Sequence, residues 1–96
     1  MKNLMELKAI LARSKDELKR KYNIKEMGIF GSYAYGLATE LSDIDILVEF
    51  EKPIGLDFVT LAEELESLLG VKVDLVSANA IKPNMLPSVK EHLIYV

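Results

Sequence analysis

The sequence predicts an α+β fold of α/β type, a small mixed β-sheet with helices packed on it. Three observations carry that expectation. The hydrophobic period changes from helical to two-residue spacing and back again along the 96 residues. A glycine-bounded turn, Gly31-Ser32-Tyr33-Ala34-Tyr35-Gly36, interrupts the chain just ahead of its clearest strand. The helical and extended segments then alternate, as expected when helices are packed on a sheet.

Leu4, Leu7, Leu11, Leu18 and Tyr22 recur at steps of three, four or their multiples, with Lys2, Lys8, Lys15, Asp16 and Lys19 between them, which predicts an amphipathic helix. Met27-Gly28-Ile29-Phe30 reads as a short strand ending at Gly31. From Asp43 to Phe50, Ile44, Ile46, Val48 and Phe50 alternate with Asp43, Asp45, Leu47 and Glu49, so one face is core and the other begins with two acids. Glu51-Lys52-Pro53-Ile54-Gly55 breaks the pattern. Phe58, Leu61, Ala62, Leu65, Leu68 and Leu69 then fall on one helical stripe closed by Gly70. Val71 to Val76 is a third strand, with Val71, Val73 and Leu75 on one face and Lys72, Asp74 and Val76 on the other. Asp74 then shares a sheet face with Asp43 and Asp45. Pro87 starts a short helix carrying Val89 and Leu93, and Ile94-Tyr95-Val96 is extended or frayed.

No repeat, low-complexity tract or linker is visible, so residues 1–96 form a single domain. With half the residues hydrophobic and 28% charged, the chain has enough apolar content to fold rather than stay disordered. The absence of cysteine excludes disulfides, thiolate zinc sites and cysteine nucleophiles, leaving oxygen ligands or the lone His92 for any metal. That favours hard cations such as Mg²⁺ or Mn²⁺. A net charge of −3 gives no general attraction to nucleic acid. No apolar stretch approaches the roughly 20 residues of a membrane span, and Glu6 near the start is unlike a signal peptide, so the expected location is cytoplasmic.

The chemistry concentrates in Gly31-Ser32, Asp43-Ile44-Asp45 and Asp74. A two-residue spacing puts both acids of Asp43-Ile44-Asp45 on one side of a strand, with Cα atoms roughly 6.5 to 7 Å apart. Such a pair repels unless it is solvated or faces a cation. Its bland alternative is a solvated strand entrance. Gly31 lets backbone approach a phosphate, with Ser32 and the following amides as donors; alternatively Gly31 serves only a left-handed turn and Ser32 caps a helix. Gly36 is best explained as a helix end or turn. Asp74 either completes a metal site and accepts a hydroxyl proton, or pairs with Lys72 or caps a turn. His92 is expected as a surface residue of the last helix. Tyr33 and Tyr35 either stack on a base or pack over the turn. Met85, Leu86, Val89, Leu93 and Ile94 exceed what one short helix must bury, leaving apolar surface for a homodimer or hetero-oligomer.

These residues resemble the DNA polymerase beta-like nucleotidyltransferase superfamily, whose signature of Gly-Ser, ten residues, then Asp-x-Asp is complete here. The size, the Asp-Ile-Asp-Ile-Leu-Val-Glu-Phe and Val-Lys-Val-Asp-Leu-Val segments and the Ile94-Tyr95-Val96 ending look like the minimal nucleotidyltransferase group over nearly the whole chain. The resemblance implies the nucleotidyltransferase fold and an antitoxin that transfers AMP from ATP to a tyrosine of a helical HEPN-domain ribonuclease toxin. It further implies that Gly31 and Ser32 hold nucleotide phosphates, and that Asp43, Asp45 and Asp74 are catalytic and bind two Mg²⁺ ions. Relatives commonly have arginine where this chain has Tyr35, a cation that tyrosine cannot replace. Lys52, Lys72 and Lys82 are the candidates to compensate. A slow or inactive fold that neutralises its partner by binding is the competing expectation. Aminoglycoside-type and sugar-nucleotide transferases share parts of the signature but need more chain.

Overall fold

The structure, a computed structural model, describes residues 2–96. Helix α1, Leu4–Tyr22, starts at a capping box: the Asn3 side chain accepts from the Glu6 N–H at 2.9 Å, and the Glu6 carboxylate accepts from the Asn3 N–H at 3.4 Å. Asn23, at φ 55°, ends it in the left-handed conformation. Its buried stripe is Leu7, Leu11, Leu18 and Tyr22.

Strand β1, Ile24–Phe30, is three residues longer than the Met27–Phe30 segment predicted from sequence. An irregularity in its register between Ile24 and Glu26 turns Lys25 and Glu26 outward in succession, which hides the alternation. A one-turn helix α2, Ser32–Tyr35, follows, and Gly36 at φ 74° closes it as expected. Strand β2, Ile44–Phe50, begins one residue after Asp43 and pairs antiparallel with β1. Helix α3, Asp57–Leu69, buries Leu61, Leu65 and Leu69, with Gly70 at φ 69° as its C-cap. Leu68, placed on the stripe by sequence, is 36% exposed because it falls off the inward arc of the helix.

Strand β3 is Val73–Ser77 rather than Val71–Val76, because Val71 and Lys72 are used in the crossing from α3. It runs parallel to β2, with Ile44↔Val73 through Val48↔Ser77 in register. A 3₁₀ turn at Ala78–Ala80 leads to helix α4, Leu86–Lys90, with Pro87 in its first turn. Leu93 lies past this helix rather than on it, and Ile94–Tyr95 forms strand β4, the extended one of the two expectations for this end. β4 pairs antiparallel with β1, and the Val96 N–H donates to the Met27 carbonyl at 3.0 Å.

The sheet order is β3-β2-β1-β4, which makes it mixed. Ile29, Ile44, Ile46 and Val48 on one face pack with the buried stripes of α1 and α3 to form the core. Tyr22 and Lys21 clasp the two helices: both donate to Glu64 Oε1, at 2.7 and 2.9 Å. The other face carries Asp45 and Asp74 at one end, and the C-terminal segment covers the rest. A Cβ on Gly28 would come within 2.7 Å of Leu93 Cδ1, so glycine there lets the C-terminal segment lie against the sheet. Of the five apolar C-terminal residues, Leu86, Val89, Leu93 and Ile94 are half-buried, and Met85 is the exposed one at 55%. Most of the expected surplus is therefore spent inside the fold. Among the described residues, no helix is long and apolar enough to cross a membrane.

Candidate active site

The two-residue period of β2 sends Ile44 and Ile46 into the core and Asp45 to the opposite face. In the parallel ladder Asp45 is the direct partner of Asp74, and on its other side it pairs with Phe30. Asp74, Asp45 and Phe30 thus form a row across three strands. Asp43 lies two residues before Asp45, just outside the ladder, and is exposed. Two further contacts hold this row in place. The Glu66 carboxylate of α3 accepts the Val73 N–H at 3.0 Å, fixing the start of β3 one residue before Asp74. The Ile44 N–H donates to the Lys72 carbonyl at 2.9 Å.

Gly31 has φ 70° and ψ −148°, a combination open only to glycine. A Cβ there would overlap Asp45 Oδ2 and stand 2.9 Å from Asp45 Cγ. The missing side chain therefore makes room for the acid as well as for the turn. Gly31 is itself the N-cap of α2, and Ser32 is the first helical residue. The alternative in which Ser32 caps the helix is ruled out, and its half-buried hydroxyl stands on the turn beside Asp45. The loop that delivers Asp43 is held by Ser42, whose Oγ accepts from the Thr39 N–H at 2.9 Å and whose N–H donates to the Thr39 carbonyl at 3.0 Å.

The Asp45 carboxyl is pushed up from 3.8 to about 6, first by burial, then by the charge of Asp74 and a hydrogen bond with it, and last by Asp43. Asp45 and Asp74 thus share one cramped, acidic corner. The oxygen-only donor set suits a hard divalent cation. Among the described residues, however, no group of three or more acidic, histidine or cysteine side chains is gathered in a form that could hold a metal ion. Asp45 and Asp74 are paired across the ladder, and Asp43 acts on Asp45 through its charge. Asp74 makes no ion pair with Lys72 among the described residues, so the pairing alternative does not hold.

A cleft of about 540 Å³ opens beside Asp43, lined by Tyr33, Leu41, Ser42, Val71 and Lys72. Of the three lysines named from sequence, Lys72 is at this end of the molecule. Lys52 lines a different hollow with Phe50 and Ser77, at the far end of β2, and Lys82 precedes α4. Tyr33 is 4% exposed and belongs to the core, whereas Tyr35 is 55% exposed. Tyr35 lies against His92, ring centroids 4.5 Å apart and planes tilted by 49°. Sequence expects His92 as a surface residue of the last helix; in the fold it is exposed, but it follows α4 and lies against the last residue of α2.

The model of the nucleotidyltransferase domain family matches residues 11–96. The chain belongs to that family. Among these nucleotidyltransferases, a Methanocaldococcus jannaschii chain provisionally named protein adenylyltransferase MJ0128 is 54% identical over the whole of both chains. Protein adenylyltransferase MntA of Thermococcus cleftensis is 44% identical over all of this chain and 98% of its own. A solved structure provisionally described as a minimal nucleotidyltransferase superposes with a TM-score of 0.77 at 36% identity, covering 94% of this chain and 95% of that one. A toxin–antitoxin structure with AMP-PNP gives 0.71 at 27% identity, over 86% of this chain and 69% of that one. A tri-AMPylated Shewanella oneidensis HEPN toxin in complex with its MNT antitoxin gives 0.66 at 23% identity, over 93% and 70%, a likeness of fold.

Proposed function

We propose that this nucleotidyltransferase, as a single domain over residues 1–96, moves AMP from ATP to a tyrosine hydroxyl of a cognate HEPN ribonuclease toxin and so serves as the antitoxin. The observation that carries this reading is Asp45, set beside Asp74 in the ladder and directly over the side-chain-free Gly31. Relatives named protein adenylyltransferase and a neighbour bound to AMP-PNP in a toxin–antitoxin complex support the substrate and the partner.

Asp43, Asp45 and Asp74 would hold Mg²⁺, two ions in this reading. When bound, Mg²⁺ would supply charge neutralisation for the triphosphate and polarisation of the α-phosphate. The residues do the rest by position. Gly31 and Ser32 lie along the phosphates, with the Ser32 hydroxyl donating to one of their oxygens. Asp74, more exposed than Asp45, receives the proton of the incoming tyrosine hydroxyl. The tyrosine oxygen bonds to the α-phosphorus, the bond from that phosphorus to the bridging oxygen breaks, and pyrophosphate departs. Use of ATP on a ribonuclease toxin assigns the reaction to the cytoplasm.

The test is mass spectrometry of the partner after incubation with ATP and Mg²⁺. Added AMP on a tyrosine, lost in Asp45→Asn, is the expected result. A stable complex with an unmodified partner overturns the proposal. That outcome favours a binding-only antitoxin, the reading that fits a carboxylate trio not drawn together around one point.

A further inference from the structure

ATP brings a triphosphate of about four negative charges to a corner already holding Asp43, Asp45 and Asp74, so donors must line the rest of its path. Both arginines of the chain, Arg13 and Arg20, stand on α1 in the helical layer, and Lys52 is at the far end of β2. Lys72 serves the cleft beside Asp43. On the β1 side of Gly31 the lysine is Lys90, which ends α4 and lines a hollow with Gly28, Leu93 and Tyr95 further along the strands, and two independent observations put Tyr35 and His92 next to the turn itself. Tyr35 ends the one-turn helix that Gly31 begins, and its N–H donates to the Gly31 carbonyl at 3.1 Å. Extending the β1–β4 register from Ile29↔Ile94 sets Leu93 opposite Phe30 and His92 opposite Gly31, one strand spacing away, about 4.8 Å.

Resting on the nucleotidyl-transfer reading, we propose that Tyr35 and His92 form a donor wall for the pyrophosphate end of ATP. The Tyr35 O–H and an imidazole N–H would meet the β- and γ-phosphates beyond Ser32. Neither side chain donates or accepts a hydrogen bond among the described residues, and Glu91 Oε1, 3.9 Å from His92 Nε2, is beyond hydrogen-bonding range. Both are about half exposed, so their donors face solvent until a ligand arrives. The tilted ring contact fixes the imidazole's position while leaving its edge open. The wall touches the leaving group rather than the base, so it governs triphosphate affinity and not recognition of AMP.

The experiment measures calorimetric affinities of the purified full chain for ATP, inorganic tripolyphosphate and AMP, each with Mg²⁺. His92→Phe keeps the ring against Tyr35 but removes the donors, and it is expected to weaken ATP and tripolyphosphate about ten-fold while AMP affinity and the melting temperature stay unchanged. His92→Gln, which restores an N–H, is expected to recover most of the loss. Wild-type tripolyphosphate affinity in His92→Phe overturns the donor wall and leaves nucleotidyl transfer standing. An equal loss of AMP affinity overturns it too, by showing a general disturbance of the site. A wild-type protein that binds no ATP overturns both readings.

Discussion

Replacing Asp45 by Asn should make the protein more stable and catalytically dead at once. A carboxyl whose pKa rises from 3.8 to about 6 on folding is penalised in its charged form, at most about 3 kcal/mol at neutral pH. Asp45 is only partly buried and solvent screens its neighbours, so about 1–2 kcal/mol is the expected net gain. For a chain of this size that corresponds to about 5–10 °C in melting temperature. The sign follows from linkage: the folded state binds the Asp45 proton more tightly than the unfolded one, so its contribution favours folding below 3.8 and fades as pH rises to about 6. The Asn variant, which has nothing to titrate, should therefore gain most above pH 6 and lose its advantage near pH 4. The assay is a series of thermal melts from pH 4 to 8, run beside labelled AMP incorporation into the partner. A variant that melts at or below the wild type at pH 7, or whose advantage does not shrink with acid, would falsify the crowded-carboxylate account. Full transfer activity in it would end the metal assignment.

Mg²⁺ together with a non-hydrolysable ATP analogue should raise the wild-type melting temperature by several degrees, with a much smaller rise in Asp45→Asn, as differential scanning fluorimetry would show. Gly31→Ala should cost about 1–3 kcal/mol from its φ of 70°, displace Asp45, and abolish AMP transfer even where the variant still folds; a soluble variant with normal turnover would contradict the contact described here. Glu66→Ala should release the start of β3, lowering transfer through Asp74 while costing about 1 kcal/mol, with faster amide exchange at Val73 as the readout. Tyr22→Phe should lose about 1–2 kcal/mol in chemical denaturation by removing the 2.7 Å bond to Glu64, and leave AMP transfer intact.

Much of this fold was legible because hydrophobic spacing speaks directly to burial. The stripe Leu7, Leu11, Leu18, Tyr22 and the alternation Ile44, Ile46, Val48 each named their partners in the core. The sheet face that Asp45 takes was legible too, since a two-residue spacing fixes it. The closeness of Asp45 to its neighbours was not. Contact between Gly31 and Asp45 depends on a ladder register joining residues 14 apart, and the pairing of Asp45 with Asp74 on a parallel register across the α3 crossover. The length of β1 was hidden because its irregular register puts Lys25 and Glu26 outward together. β4 was left between extended and frayed because two residues carry no period of their own; only the partner strand makes them a strand. His92 looked like a helix-surface residue because nothing local to it announces Tyr35, 57 positions away in the chain.

β3 is the outermost strand of the sheet, so one of its long sides has no neighbour. Asp74 consequently lies at an open rim rather than in the floor of an enclosed cleft. In the proposed reaction a bulky macromolecular acceptor would bring its hydroxyl in sideways along that rim.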